Sequence, residues 1–355
     1  MLEAIIIAIV LANIKLIKDV AYTGSREIDT VGAILSFVGM GGIVLSILVW
    51  QEGGDRVGLL MVVGVVGLLL FARWLTQRKK QGKPILLDPG LFSSKHFVTG
   101  ISGQMMQNIA LGGMSIVMPI YFQMVFEYTA MQTGLSIAPL SLSMFAIAVL
   151  AGRRAGKRRA SRIIQAGFGI LFVGILLLIP LVPRAASSLP FLIPFVLAGT
   201  GIGLLVSQLN NYTLAPISEE RVSEAAGVNS ASGSFGLSFG LAFAGAIMLA
   251  GLTISFTDMA QASTVLTPVQ QEQVAQVLEE DAQVMSNTQL EAMLASQPAE
   301  IQEEIIRINT DARSIALQMA LIVPLLAALL GFVNSFRMVK LPDLAPSSAA
   351  EMVLG

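Results

Sequence analysis

The sequence predicts an all-α, polytopic membrane protein with about nine transmembrane helices, and three observations carry that prediction. Apolar residues make up 54% of the 355, and charged residues only 13%. A soluble domain carries about 25% charge, so this chain lacks the charge to coat a water-facing surface. The apolar residues gather into nine runs, eight of them long enough to cross a bilayer. A helix rises about 1.5 Å per residue and the hydrocarbon is about 30 Å thick, so about 20 residues are needed. Finally, the cations alternate from one inter-run segment to the next, as they do when cytoplasmic loops hold the Lys and Arg.

The runs lie near Leu2–Ile17, Thr30–Trp50, Val57–Leu75, Phe97–Val125, Ala130–Gly152, Ile163–Val182, Leu189–Tyr212, Ala231–Phe256 and Ile315–Val339. The first is short, and its cations follow the apolar run instead of preceding it, the reverse of a signal peptide. With Met1 outside, the inner segments hold 18 of the 22 cations; only Arg56, Arg184, Arg307 and Arg313 fall outside. A wrong helix count would scramble that alternation. The stretch "AGRRAGKRRASRIIQAGF" holds Arg153, Arg154, Lys157, Arg158, Arg159 and Arg162 between two apolar runs. Six such charges at mid-bilayer would cost about 15–20 kcal/mol, so the stretch is a cytoplasmic loop whose charges pin a hairpin and can meet anionic lipid. The net charge of −1 argues against a nucleic-acid partner, because the basic cluster is local and acid elsewhere balances it. Residues 257–312 carry ten acidic residues and one Arg. They read as an acidic extracellular loop with short amphipathic helices at "PVQQEQVAQVLEEDAQVMS" and "PAEIQEEIIRINTDARS".

Catalytic chemistry is missing from the pattern. No ionisable residue falls near the middle of a long run, although proton-moving pumps usually keep a carboxylate there. There is no Cys, and His96 is the sole histidine, so a thiol nucleophile, a His-based metal site and a Ser-His-Asp triad are all out of reach. No cofactor is implied. "GTGIG" (Gly199–Gly203) lies inside an apolar run with no preceding strand, so its spacing suits close helix packing and not phosphate binding; Gly236 and Gly240 share that spacing. Uncharged polar residues carry more information. Gln104, Gln107 and Asn108 fall on one helical stripe. "SQLNNY" adds Ser207, Gln208, Asn210, Asn211 and Tyr212, and "GVNSASGSFGLSFG" adds Asn229, Ser230, Ser232 and Ser234. Tyr121, Gln123, Gln165, Gln318 and Asn334 complete the set. Each reads either as an interhelical hydrogen bond, worth about 0.6 kcal/mol, or as part of a polar-lined cavity for a mostly apolar ligand. Pro119, Pro139, Pro180, Pro194, Pro216 and Pro324 lie in or at the ends of runs, where each removes a donor and permits a kink.

Several motifs resemble those of the major facilitator superfamily, in its fourteen-helix drug:proton antiporter branch. "MPIYFQMVFEYTAMQTGLSIAP" matches the family's P-x-Y-x-Q, G-Y-x-x-x-x-x-G, P signature at Pro119, Tyr121, Gln123, Tyr128, Gly134 and Pro139, with Glu127 in place of the usual glycine. "REIDTVGAILSFVG" is similar to that branch's D-x-x-G-x-x-L opening at Asp29 and Gly32, and "DPGLFSSKHFVTG" to the loop leading into the seventh core helix. Gly201, Gly203, Pro216, Gly227, Asn229, Gly236 and Gly240 match the last third.

The resemblance implies residues 1–96 as a leftover sixth core helix, two linker transmembrane helices and a cytoplasmic loop. Residues 97–340 follow as a C-terminal six-helix bundle of two three-helix repeats, and 341–355 as a cytoplasmic tail. It implies the C-terminal part of a cell (inner) membrane transporter that exports drug-like or amphipathic small molecules by proton exchange. The N-terminus would lie outside and the C-terminus inside. Gln104, Gln107, Asn108, Tyr121, Gln208 and Asn229 are then the expected substrate-binding wall. Because the resemblance begins at the family's sixth helix, the N-terminal bundle is expected to be absent. The cationic loop also lacks the Asp of the family's corresponding motif. Expected partners are the lipid bilayer, a small-molecule substrate and a separate N-terminal transporter half. The alternatives are a subunit of a split transporter and a non-transporting membrane scaffold; an enzyme is not expected.

Overall fold

The computed structural model describes residues 29–51, 57–83, 85–153, 158–218, 221–272, 274 and 287–342. Among them the long elements are all helices. They are α1 (Thr30–Gln51), α2 (Val57–Lys80), α3 (Lys95–Met124), α4 (Ala130–Gly152), α5 (Ala160–Leu178), α6 (Leu192–Leu214), α7 (Val222–Ala262), α8 (Asn287–Leu294) and α9 (Ala299–Lys340). Short 3-10 turns stand at Pro89–Ser93, Ile179–Leu181 and Leu189–Phe191. Eight of these helices are long and apolar enough to cross a membrane, so the chain is an all-α, multi-pass membrane protein. The expected run Leu2–Ile17 and most of the 341–355 tail lie outside the described residues.

Local chemistry fixes several helix starts. At the head of α1, Asp29 Oδ1 accepts from Gly32 N at 3.0 Å and from Trp74 Nε1 at 3.0 Å, and its Oδ2 accepts from Leu86 N at 3.3 Å. This one buried carboxylate therefore caps α1 and ties it to α2. A Cβ at residue 32 would stand 2.5 Å from Asp29 Oδ2, which is why the D-x-x-G spacing needs its glycine. Asp88 caps the turn before α3 and also pairs with Lys79 and Arg221. Thr129 and Gln132 form a full capping box at α4.

Packing sorts the helices. α3 lies along α7 and α9, α5 against α6 and α9, and α4 against α6, while α1 pairs with α2 and touches α7. The large buried side chains Tyr121, Phe122, Phe168, Phe191, Phe195 and Phe256 sit among α3, α5, α6 and α7. α4 buries only Thr133 and Leu140. The α1–α2 hairpin docks through Ile43 and Ile47 onto Ala242 and Ala246 of α7. Glycine lets backbones meet: a Cβ at Gly236 would stand 2.6 Å from Met105 O, and one at Gly240 would run into Ile109 O. Gly199 and Gly203 face the carbonyls of Leu140 and Met144 on α4, and Gly201 faces Leu171 N on α5. The glycine run is thus a packing surface for two neighbours.

One expectation needs correction. Residues 257–312 are not simply a loop. α7 is 41 residues long and continues to Ala262, and α9 is 42 long and begins at Ala299. Each measures about 60 Å, twice the hydrocarbon thickness. "PAEIQEEIIRINTDARS" is helical, but as the first turns of α9 and not a separate element. Nothing between Ala299 and Ile315 breaks a helix, so α9 begins well before the expected span, and Ile305, Ile308 and Ala312 of these first turns are buried in the core. Ser263 Oγ donates to Glu304 Oε1 at 2.6 Å, joining the projecting ends of the two helices.

Candidate functional site

The polar stripe of α3 meets α7 at a glycine. Gln104 and Asn108 are half-buried, one turn apart, and Asn108 Nδ2 donates to Gln104 O at 2.9 Å. Their amide nitrogens flank Gly233 of α7: a Cβ there would stand 3.4 Å from Gln104 Nε2 and 3.3 Å from Asn108 Nδ2. One turn back along α7, Asn229 is 5% exposed, and its Nδ2 donates to Oδ1 of exposed Asn210 on α6 at 2.9 Å. Asn229 Oδ1 is buried with no hydrogen-bond partner among the described residues. The next turns of α7 carry exposed Ser230, Ser234 and Ser238. Three helices therefore contribute amides to one polar, uncharged wall. Such a wall can offer donors and acceptors to a ligand; it has no group that could take or give a proton near neutral pH.

The other expected wall residues are placed differently. Tyr121 is fully buried, and its hydroxyl donates to Val182 O at 2.8 Å. Its ring lies 5.0 Å from Phe126 and 5.3 Å from Phe191. This tyrosine therefore stitches the ends of α3 and α5 and the start of α6 from within an aromatic core. Gln208 is 2% exposed and donates Nε2 to Ala151 O at 3.4 Å, satisfying a carbonyl at the end of α4. Gln107 lies on the core-facing stripe of α3 with Gly103 and Ala110; it is 3% exposed, and its Oε1 has no partner among the described residues. Sequence spacing put Gln107 with Gln104 because residues three apart share a broad face, but that face spans the boundary between core and opening. Asn210 stood among the sequence's polar residues; what singles it out is its bond to Asn229, which spacing does not reveal.

Two more of the sequence's polar residues are structural staples. Asn334 Nδ2 donates to Thr99 O and Gln318 Nε2 to Ile179 O, each across helices. His96 Nε2 lies 2.8 Å from Pro342 O. Among the described residues no group of three or more His, Cys, Asp or Glu could hold a metal. Between α3 and α4, Glu127 adopts φ 53°, the left-handed region. Its carboxylate accepts from Thr288 N at 2.9 Å and from the Thr288 hydroxyl, anchoring α8. The position that the signature reserves for glycine does adopt a backbone suited to glycine.

The family model described as "Major Facilitator Superfamily" matches residues 27–241. The chain belongs to that superfamily, among carriers and not enzymes. It is 27% identical over 261 residues to a Mycobacterium tuberculosis protein named Multidrug resistance protein Stp, covering 73% of this chain and 47% of that one. It is 21% identical over 246 residues to the Probable actinorhodin transporter of Streptomyces coelicolor, covering 68% and 43%. A Bacillus subtilis protein described as an uncharacterized MFS-type transporter, YcnB, is 31% identical over 175 residues, covering 47% and 35%. The chain spans about half the length of the curated relatives it matches.

Proposed function

We propose that this chain forms the C-terminal bundle of a cell-membrane exporter for drug-like or amphipathic small molecules, driven by proton exchange. In this reading Gln104, Asn108, Asn210 and Asn229 line one side of a substrate path, toward the end where α6 leads into α7, and an N-terminal bundle supplies the other side. The observation that carries it is the neutral amide wall where α3, α6 and α7 meet. Two further features support it. α4 leaves Met131, Leu135, Leu142 and Phe145 each more than 60% exposed, a surface suited to a neighbouring bundle. The relatives' names speak of multidrug resistance and of an actinorhodin transporter. The coupling carboxylate would belong to the other bundle, because the membrane-spanning parts of the described helices carry none at mid-depth. The cationic loops would face the cytoplasm.

The test is transport into or out of proteoliposomes under an imposed pH gradient, with ethidium as the probe. The chain co-reconstituted with an N-terminal half from a full-length relative should move ethidium, and the chain alone should not. Substituting Ala for Asn108 and Asn229 should lower the rate about tenfold, the effect of losing about 1.4 kcal/mol of binding. Proton-driven transport by the chain alone would overturn the two-bundle reading, and an unchanged rate in the double variant would overturn the wall.

A further inference from the structure

A groove of about 510 Å³ opens between α5 and α9, with α6 at its floor. None of its residues belongs to the amide wall. One end is polar, with Arg162 and Gln165; the rest is apolar, lined by Gly169, Val173, Phe332 and Phe336. The groove owes its depth to Gly169, since a Cβ there would stand 3.3 Å from Phe332 Cε2. Phe332 and Phe336 form an edge-to-face pair at 5.1 Å that builds the far side. The polar end is held open by Arg159, whose guanidinium donates to Val339 O and Leu341 O and so ties the end of α9 to the start of α5.

Two features select the occupant. The first is length. From Arg162 to Val173 the groove follows twelve residues of helix, about 16 Å, which matches one leaflet of a hydrocarbon core about 30 Å thick. The second is charge. Arg162 is exposed, and its guanidinium has no ion-pair or hydrogen-bond partner among the described residues. It also stands at the end of the most cationic stretch in the chain, six cations in ten residues. An acyl chain fits the apolar length, and a phosphate fits the end.

We propose that this groove is a selective site for an anionic phospholipid of the leaflet facing the cationic loop. One acyl chain lies along Gly169 to Val173 against the two phenylalanines, and the phosphate pairs with Arg162 and accepts from the Gln165 amide. Any bilayer lipid wets a membrane protein; the site adds a preference for negative headgroups, because a cation fixed at the membrane surface attracts them. The inference does not depend on transport.

Native mass spectrometry of the purified full chain, extracted from vesicles of equal phosphatidylglycerol and phosphatidylcholine, tests it. The chain should retain one phosphatidylglycerol in preference to phosphatidylcholine. Arg162→Gln should cut that retention about fivefold, the weight of one surface cation, and lower phosphatidylcholine retention by less, because its choline cation already offsets its phosphate. Gly169→Leu should lower retention of both lipids by filling the groove. If Gly169→Leu fails to fold, Arg162→Gln still decides, because its side chain is exposed. Equal retention of the two lipids, or phosphatidylglycerol retention unmoved by Arg162→Gln, would overturn the proposal. So would an apolar peptide found in place of lipid.

Discussion

At the scale of single residues, two acids show how little of their work is visible in a string of letters. Glu127 holds φ 53°, a conformation that costs a residue with a side chain about 1–2 kcal/mol and glycine almost nothing. Its contacts with Thr288 offset that strain. Glu127→Ala keeps the strain and loses the contacts, whereas Glu127→Gly loses both. Thermal melting in detergent should therefore find Glu127→Gly more stable than Glu127→Ala by about 1 kcal/mol; equal melting points would remove the argument. Asp29 is legible as a motif residue, but its role is not, because the Trp74 and Leu86 donors are distant in sequence. Burial pushes its pKa up, but hydrogen bonds from Gly32, Trp74 and Leu86 and the charge of Arg78 outweigh this and hold it below the ordinary value. A depressed pKa stabilises the fold above the unfolded value of about 3.9 and loses that contribution as pH falls through the folded one. The fluorescence of Trp74 should report loosening of the α1–α2 hairpin below about pH 4. Asp29→Asn should be weakened by about 1–3 kcal/mol at neutral pH and should lack that acid transition.

At the scale of elements, the hydrophobic runs gave good positions and poor ends. Ala130–Gly152 is the same in the sequence reading and in α4, where a capping box starts the helix and a cationic loop follows it. α7 begins nine residues before the expected Ala231, because "VSEAAGVNS" is too polar for a lipid-facing run yet contains nothing that stops a helix. Hydropathy reports where lipid lies, whereas helices end where capping or backbone chemistry ends them. Which amides face the opening was not legible either, since that depends on how α3 rolls against α7. Glycines set that roll, and they supply the prediction for this scale. Gly240→Val puts side-chain atoms into Ile109 O and should cost about 1–3 kcal/mol. Gly227, on the same helix with open space around it, should accept Ala with a gain of about 0.5–1 kcal/mol. Melting curves of the two variants separate close packing from mere helix propensity; equal losses would show that contact between α3 and α7 is not what matters.

At the scale of the whole molecule, the absence of Cys from the sequence makes topology directly measurable. A membrane-impermeant maleimide should reach Arg158→Cys only from the cytoplasmic side and Gln297→Cys only from the opposite side; labelling of both from one side would invert or void the alternation of charge. The same labelling chemistry serves a second purpose on α7. α7 contains no proline between Val222 and Ala262, and it carries Asn229 of the amide wall near one end and leads to Ser263 at the other. That separation is about 50 Å along a single unbroken rod. A beam of this kind transmits its tilt: where one end pivots, the other sweeps. A reporter dye at exposed Gln261, beside that tip, would register what happens at the wall without touching it.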